Sequence, residues 1–235
     1  MSVAGRLEDL QARYGLASPA VDALGRLLAL VGSDPAAPTA VRDPATAVDT
    51  HVADALVALR LEQVRGARRI ADLGSGAGFP GLVLAAALPE AEVALVEANG
   101  RKCAFLERAA AQMGLTNVAV VPARAESWTA GIGTRDLVTA RALAPLAVLV
   151  EYAAPLLAEG GALLAWKGRR DAAEEADGGA AAAATGLELA GLRPVQPWKR
   201  AEHLHLHLYV KVGLTPNRFP RRPGIASKRP LRASS

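Results

Sequence analysis

The chain has 235 residues, 51% hydrophobic and 21% charged, a balance that fits one globular α/β domain with an appendage rather than a disordered or fibrous protein. A lone cysteine, Cys103, excludes an internal disulfide and a multi-cysteine zinc site, and its place in RKCAFLERAA reads as a small buried hydrophobe. Arg6, Glu8 and Asp9 interrupt any leading apolar run and no uncharged stretch of about 18 residues is present, so neither a secretory signal nor a membrane helix is expected, and the expected location is cytoplasmic.

In chain order, Val3–Tyr14 and Pro19–Leu30 read as amphipathic helices, the second with Ser18 as N-cap and Pro19 at its first position. Ser33–Pro44, rich in proline and aspartate, reads as a loop. Asp49–Leu61 reads as a third helix with Val52, Leu56 and Leu59 on one face. From there strand and helix signals alternate. Strands are predicted at Ile70–Leu73, Glu92–Glu97, Val118–Val121, Asp136–Ala140, Ala162–Lys167 and His205–Val212, and helices at Gly81–Leu88, Arg101–Met113, Leu146–Leu157 and about Arg170–Thr185. Ala180–Ala184 reads as a low-complexity helix or loop without chemistry. The alternation predicts an α/β fold with a doubly wound, mostly parallel sheet and ligand at the carboxyl ends of its strands. The expected organisation is a helical extension over residues 1–66, the α/β domain over 67–214 and a basic, proline-rich arm over 215–235.

RIADLGSGAGFPG, Arg69–Gly81, carries the most information. Glycines at 74, 76 and 78 after a short apolar strand let the backbone turn sharply and approach a ligand that a Cβ would push away. Dinucleotide sites share that spacing. Asp72 before the loop and Pro80 within it favour a nucleoside site over a pyrophosphate at a helix N-terminus. Glu97 ends the next strand, 23 residues after Gly74, where a carboxylate accepts hydrogen bonds from both ribose hydroxyls. Asp-x-Gly-x-Gly-x-Gly after a strand resembles the first motif of S-adenosylmethionine-dependent methyltransferases.

Charge is unevenly spread. Thr215–Ser235 holds six cations and no acid, while the rest of the chain has 21 basic against 23 acidic residues. An arm punctuated by Pro216, Pro220, Pro223 and Pro230 reads as an extended segment for a polyanion, with Arg218, Arg221, Arg222, Lys228, Arg229 and Arg232 neutralising phosphates. Truncation after Leu214 is then expected to spare the nucleoside site. The competing reading packs Phe219, Ile225 and Leu231 onto the body as a clasp.

Further motifs sharpen the resemblance. HVADAL at His51–Leu56, DLGSGAGFPG at Asp72–Gly81, Phe105-Leu106, ARAE at Ala123–Glu126, ARALAPL at Ala140–Leu146, Lys167-Gly168 and PNRFPRRPGIASKRPL at Pro216–Leu231 are similar to the RsmG (GidB) family of small-subunit ribosomal-RNA guanine-N7 methyltransferases, in the form found in high-GC Gram-positive bacteria. The match departs at Leu27–Asp43, where the family's Trp-Asn pair and Asn-Leu segment are replaced by LLALVGSDPAAPTAVRD.

The resemblance implies a Rossmann-like methyltransferase acting on N7 of guanine 527 in 16S ribosomal RNA, alone or within the small subunit. It places Asp72, Gly74, Gly76, Gly78, Phe79, Glu97, Ala125, Glu126 and Arg141 at the cofactor. Glu97 would take the ribose, Ala125 and Glu126 the adenine, and Asp72 the loop or the methionine end. Arg141 also faces RNA, and Lys102, Lys167, Arg169 and Arg170 border the same sheet edge as candidate phosphate contacts. Guanine N7 presents a lone pair with no proton to lose, so no general base, no metal and no catalytic side chain are expected. His203, His205 and His207 read as one polar strand face, His51 and Asp54 as a pair one helical turn apart, and a monomer is expected. The alternatives are a nicotinamide-dependent oxidoreductase and a non-catalytic RNA-binding adaptor.

Overall fold

A computed structural model describes residues 2–233. Helix α1 (Val3–Tyr14) is capped by Ser2, whose side chain accepts from the Gly5 amide, and stopped by Gly15 in the left-handed region. Helix α2 (Ser18–Ser33) starts one residue earlier than expected, because Ala17 and not Ser18 is the N-cap, and runs three residues past Leu30. Proline at its first turn costs no hydrogen bond there. Both helices bury leucines, among them Leu10, Leu24, Leu27 and Leu28.

The third predicted helix is composite. It starts at Asp43, which caps α3 (Pro44–Ala47), then widens into a π-turn at Val48–Ala53 before α4 (Asp54–Leu56) and a 3-10 turn at Val57–Arg60. A π-turn inserts a residue into the helical repeat and re-aims its side chains, a feature frequent at functional sites. Here His51 and Asp54 are both buried. One further turn, α5 (Glu62–Arg65), leads into the sheet.

The seven strands are β1 (Arg69–Leu73), β2 (Glu92–Glu97), β3 (Val118–Pro122), β4 (Arg135–Arg141), β5 (Leu157–Lys167), β6 (Leu187–Val195) and β7 (Leu204–Lys211), in the order β3-β2-β1-β4-β5-β7-β6. β1 to β5 are parallel and β7 is antiparallel to both its neighbours. β6 is the strand the sequence reading missed: it lies at an edge, buries only Leu187 fully and carries Gly191 and Pro194. An edge tolerates a proline that a central strand would not.

Helices α6 (Gly81–Ala87) and α7 (Gly100–Met113) cover one face together with α1, α2 and the composite helix, so the N-terminal helices share a core with the sheet. Helices α8 (Leu146–Ala153) and α9 (Ala172–Thr185) cover the other. Ala181 and Ala182 of the alanine-rich stretch are buried on the inner face of α9, where small residues permit close approach, while Ala183 faces outward. A Cβ on Gly178 would lie 2.7 Å from the Tyr209 hydroxyl.

The arm is not an extended tail. Phe219 and Ala226 are buried, a short helix α10 (Ile225–Lys228) forms against α8, and Arg221 grips the buried Glu151 carboxylate through Nε at 2.8 Å and Nη2 at 2.5 Å. Arg221 is therefore committed to an internal ion pair rather than to a phosphate; of the three residues of the clasp reading, Phe219 is buried, Leu231 packs partly buried against the core beneath α8, and Ile225 is half-buried. Arg218, Arg222, Lys228 and Arg229 remain exposed on its outer side. The histidine face is smaller than expected: His203 precedes β7 at a φ of 58°, leaving His205 and the buried His207 on the strand. No helix is long and apolar enough to cross a membrane among the described residues.

Candidate functional site

The chain leaves β1 outward to β2 and β3, then crosses back to β4 and β5, so the order reverses between β1 and β4. A crevice opens at the carboxyl ends of strands flanking such a reversal. It is a cleft of about 480 Å³ here, lined by Gly74, Glu97, Lys102, Ala125, Glu126 and, among others, Arg124, Ala142, Leu143, Tyr152 and Ser227. That is within the usual range for small-molecule sites.

The glycine loop is built around two carboxylates. On its inner side Asp72 is fully buried, its Oδ1 accepting from the Thr139 hydroxyl at 2.8 Å and its Oδ2 from the Gly81 amide at 3.2 Å. Burial pushes Asp72 up to about 6 against the opposing effect of these hydrogen bonds. On its outer side Glu97, 7% exposed, accepts from the Gly76 amide at 3.2 Å and from the Asn99 amide at 2.8 Å. Gly74, Gly76 and Gly78 all have positive φ, and a Cβ on Gly78 would meet Leu82 at 2.3 Å. Gly81 is needed for a different reason: its Cβ would lie 2.4 Å from Leu95 and 2.8 Å from Asp72 Oδ2, at the point where α6 leaves the loop.

Of the expected cofactor residues, Gly74, Glu97, Ala125 and Glu126 meet in the cleft. Asp72 lies beneath it and orients the loop. Gly76 and Gly78 shape the turn. Phe79 lies behind the loop, 5% exposed, with its ring stacked on His51 at 4.4 Å and the Arg141 guanidinium 5.7 Å above it. Arg141 is drawn away from the cleft: it donates to Asp54 Oδ2 at 2.7 Å and to the Thr50 carbonyl at 3.1 Å. The π-turn makes this possible by presenting Thr50, His51 and Asp54 together.

Burial and the adjacent Arg141 push His51 down to about 4, so it is neutral at physiological pH, while burial raises Asp54 against the pull of Arg141. Arg141 instead lines a neighbouring cavity of about 240 Å³ with Asp54, Trp166 and Lys167, which meets the first cleft at Ala142. Ala142 holds a φ of 54°, an uncommon conformation for a residue with a Cβ and one that clusters at functional sites. Of the expected phosphate contacts, Lys102 lines the cleft, whereas Lys167 pairs with Glu174 at 2.5 Å and Arg170 with Glu175 at 2.6 Å.

The sequence reading missed Arg124, Ala142, Leu143, Tyr152 and Ser227 as cleft residues. ARAE and ARALAPL flagged the first three loci as motifs. The closing motif at Pro216–Leu231 contains Ser227 without marking it for the cleft, and nothing local pointed to Tyr152; the two meet only because the arm folds back.

Solved structures share the fold. A SAM-dependent methyltransferase from Aquifex aeolicus superposes with a TM-score of 0.55 at 14% identity, over 71% of this chain and 93% of that one. A predicted O-methyltransferase from Agrobacterium tumefaciens does so with 0.54 at 23% identity, over 70% and 81%. The family model for rRNA small subunit methyltransferase G (GidB) matches residues 31–196. Ribosomal RNA small subunit methyltransferase G of Rubrobacter xylanophilus is 41% identical over 81% of this chain and 76% of its own length. That of Chloroflexus aggregans is 43% identical over 82% of each. The reversal-point cleft, the glycine loop and these relatives together make the chain a member of the rRNA small subunit methyltransferase G family, S-adenosylmethionine-dependent methyltransferases with a Rossmann-like fold.

Proposed function

We propose that this chain methylates N7 of a guanine in small-subunit ribosomal RNA, the base and position being those the family resemblance implies. The observation that carries the reading is the cleft itself: a nearly buried carboxylate, Glu97, over a glycine floor, with no histidine or cysteine among the described residues that line it.

The residues suit the cofactor. Glu97 has each oxygen already held by one backbone amide, which fixes its orientation and leaves further lone pairs for ribose hydroxyls. Gly74 presents bare backbone at the floor, where a Cβ would lie 2.6 Å from the Leu143 side chain. Glu126 supplies a carboxylate able to accept from an exocyclic amine. When bound, S-adenosylmethionine supplies an electrophilic methyl on a sulfonium.

The chain's own work is positioning. The Asp72 hydrogen bonds hold the loop, and the Glu97 contacts set the nucleoside end. The adjoining cavity, with Arg141 and Lys167 on its wall, is our candidate entrance for the guanine. N7 attacks with its own lone pair, so proton abstraction has no place in the step, and neutral, buried His51 is not asked to act as a base. Lys102 at the cleft and the exposed Arg124, Arg218, Arg222 and Lys228 are our candidates for phosphate neutralisation.

Calorimetric titration tests the cofactor half of this reading. S-adenosylhomocysteine should bind and NADH should not; the reverse result would move the chain to nicotinamide chemistry. Transfer of labelled methyl to 16S ribosomal RNA, followed by nucleoside analysis, tests the acceptor half. A product other than N7-methylguanosine would overturn it.

A further inference from the structure

The basic arm reaches the cleft. Its anchor is Arg221 on the buried Glu151, reinforced by Phe219 and Ala226 in the core and by the Ala233 amide, which donates to Asp177 at 2.9 Å. From that anchor the segment around α10 turns inward, and Ser227 becomes one of the cleft-lining residues. There its hydroxyl lies 3.1 Å from the Tyr152 hydroxyl, which also lines the cleft, and the Gly224 amide donates to Glu126 Oε1 at 2.9 Å. Gly224 has a φ of 83°, a conformation that turns the chain and is strained for any residue with a side chain.

We propose that the C-terminal arm is one wall of the cofactor cleft, with Tyr152, Ser227 and the Gly224 amide as positioning residues for the nucleoside. This rests on the reading that the cleft holds S-adenosylmethionine. The chemistry of the wall suits a purine. The Gly224 amide occupies one oxygen of Glu126 and fixes its rotamer, leaving Oε2 as an acceptor for an exocyclic amine. The paired hydroxyls of Tyr152 and Ser227 use one hydrogen between them and keep one donor and several lone pairs for ring nitrogens. The outer side of the same arm carries exposed Arg218, Arg222 and Lys228. One segment thus borders the cofactor on its inner side and offers cationic charge to RNA on its outer side. The expectation that the arm is separate from the nucleoside pocket is replaced by a direct link between them.

The test is calorimetric titration of the full chain, Ser227→Ala, Tyr152→Phe and a truncation after Leu214 with two probes. These are S-adenosylhomocysteine and S-inosylhomocysteine, in which a carbonyl replaces the adenine amine. The full chain should bind the adenosyl probe and prefer it. Each point variant should bind it about fivefold more weakly, the worth of one net hydrogen bond. The truncation should lose more and lose most of its preference over the inosyl probe, because Glu126 is no longer held; a purely structural clasp would not change that ratio. By linkage, the adenosyl probe should also slow tryptic cleavage at Arg218 and Lys228 in the full chain, a readout available even if the truncation fails to fold. Binding by the full chain with unchanged affinity and ratio in the variants and no protection of the arm would overturn the wall while sparing the cofactor reading. Failure of the full chain itself to bind the adenosyl probe would overturn both.

Discussion

Replacing Arg221 by alanine removes the cation from a carboxylate that has almost no access to water. Glu151 is 1% exposed and Arg221 about a quarter exposed, and the pair is bidentate. Breaking a buried pair from one side typically costs about 3–5 kcal/mol, because the remaining charge stays buried without compensation. The partial exposure of Arg221 lets water reach the gap, which places the cost near the lower end, about 3 kcal/mol. In a chain of this size each kcal/mol lowers the melting temperature by roughly 2–4 °C, so Arg221→Ala should melt roughly 6–12 °C below the parent.

The double variant Arg221→Met with Glu151→Met keeps the volume and removes both charges. It should recover most of the loss, since apolar replacements of buried pairs are often neutral or stabilising. Thermal unfolding followed by circular dichroism measures both. A single variant within about 2 °C of the parent would mean that the arm is not clamped by this pair. A double variant as unstable as the single would mean that packing rather than the uncompensated charge is responsible.

Three further outcomes follow from the site. Glu97→Ala should weaken S-adenosylhomocysteine binding by about 1–3 kcal/mol in calorimetry, and Glu97→Gln, which keeps one acceptor, should lose less; equal affinity in a folded alanine variant would remove Glu97 from the ribose. Asp72 is raised to about 6 by burial, so the folded state holds its proton more tightly than the unfolded chain; the resulting stability is present below about pH 4 and lost as pH rises through about 6. Asp72→Asn can accept from the Gly81 amide with its oxygen and donate its amide to the Thr139 hydroxyl, without a charge, so its stability minus that of the parent should grow between those pH values in denaturant titrations, and a constant difference would contradict the burial argument. Since guanine N7 needs no general base, the single-turnover methyl-transfer rate should lack a steep base limb between about pH 6 and 8; a tenfold rise per pH unit there would point to a titrating group.

What could be read from the sequence and what could not divides along the range of the interactions. The glycine loop was legible because its constraints are local: positive φ at Gly74, Gly76 and Gly78, and a carboxylate at each end of one strand–loop–strand unit. Glu97 was legible for the same reason. β6 was not, because an edge strand with one fully buried residue lacks the alternation that identifies a strand.

The role of Arg221 was misread because its partner lies 70 residues away, and a cation in a proline-rich segment looks free until Glu151 is seen beneath it. A separation of 75 residues from Tyr152 likewise hid Ser227 from the cleft. The resemblance places Arg141 at the cofactor, whereas its side chain is held by Thr50 and Asp54, whose joint presentation depends on a π-turn that a 3.6-residue period does not reveal.

The modified base is the most direct measure of the proposed activity. Mass mapping of 16S ribosomal RNA from cells with and without this protein measures it: N7-methylguanosine at a single guanine should be present with the chain, absent without it, and restored by the parent but not by Glu97→Ala. An unchanged methylation map on removing the protein would contradict the proposed function.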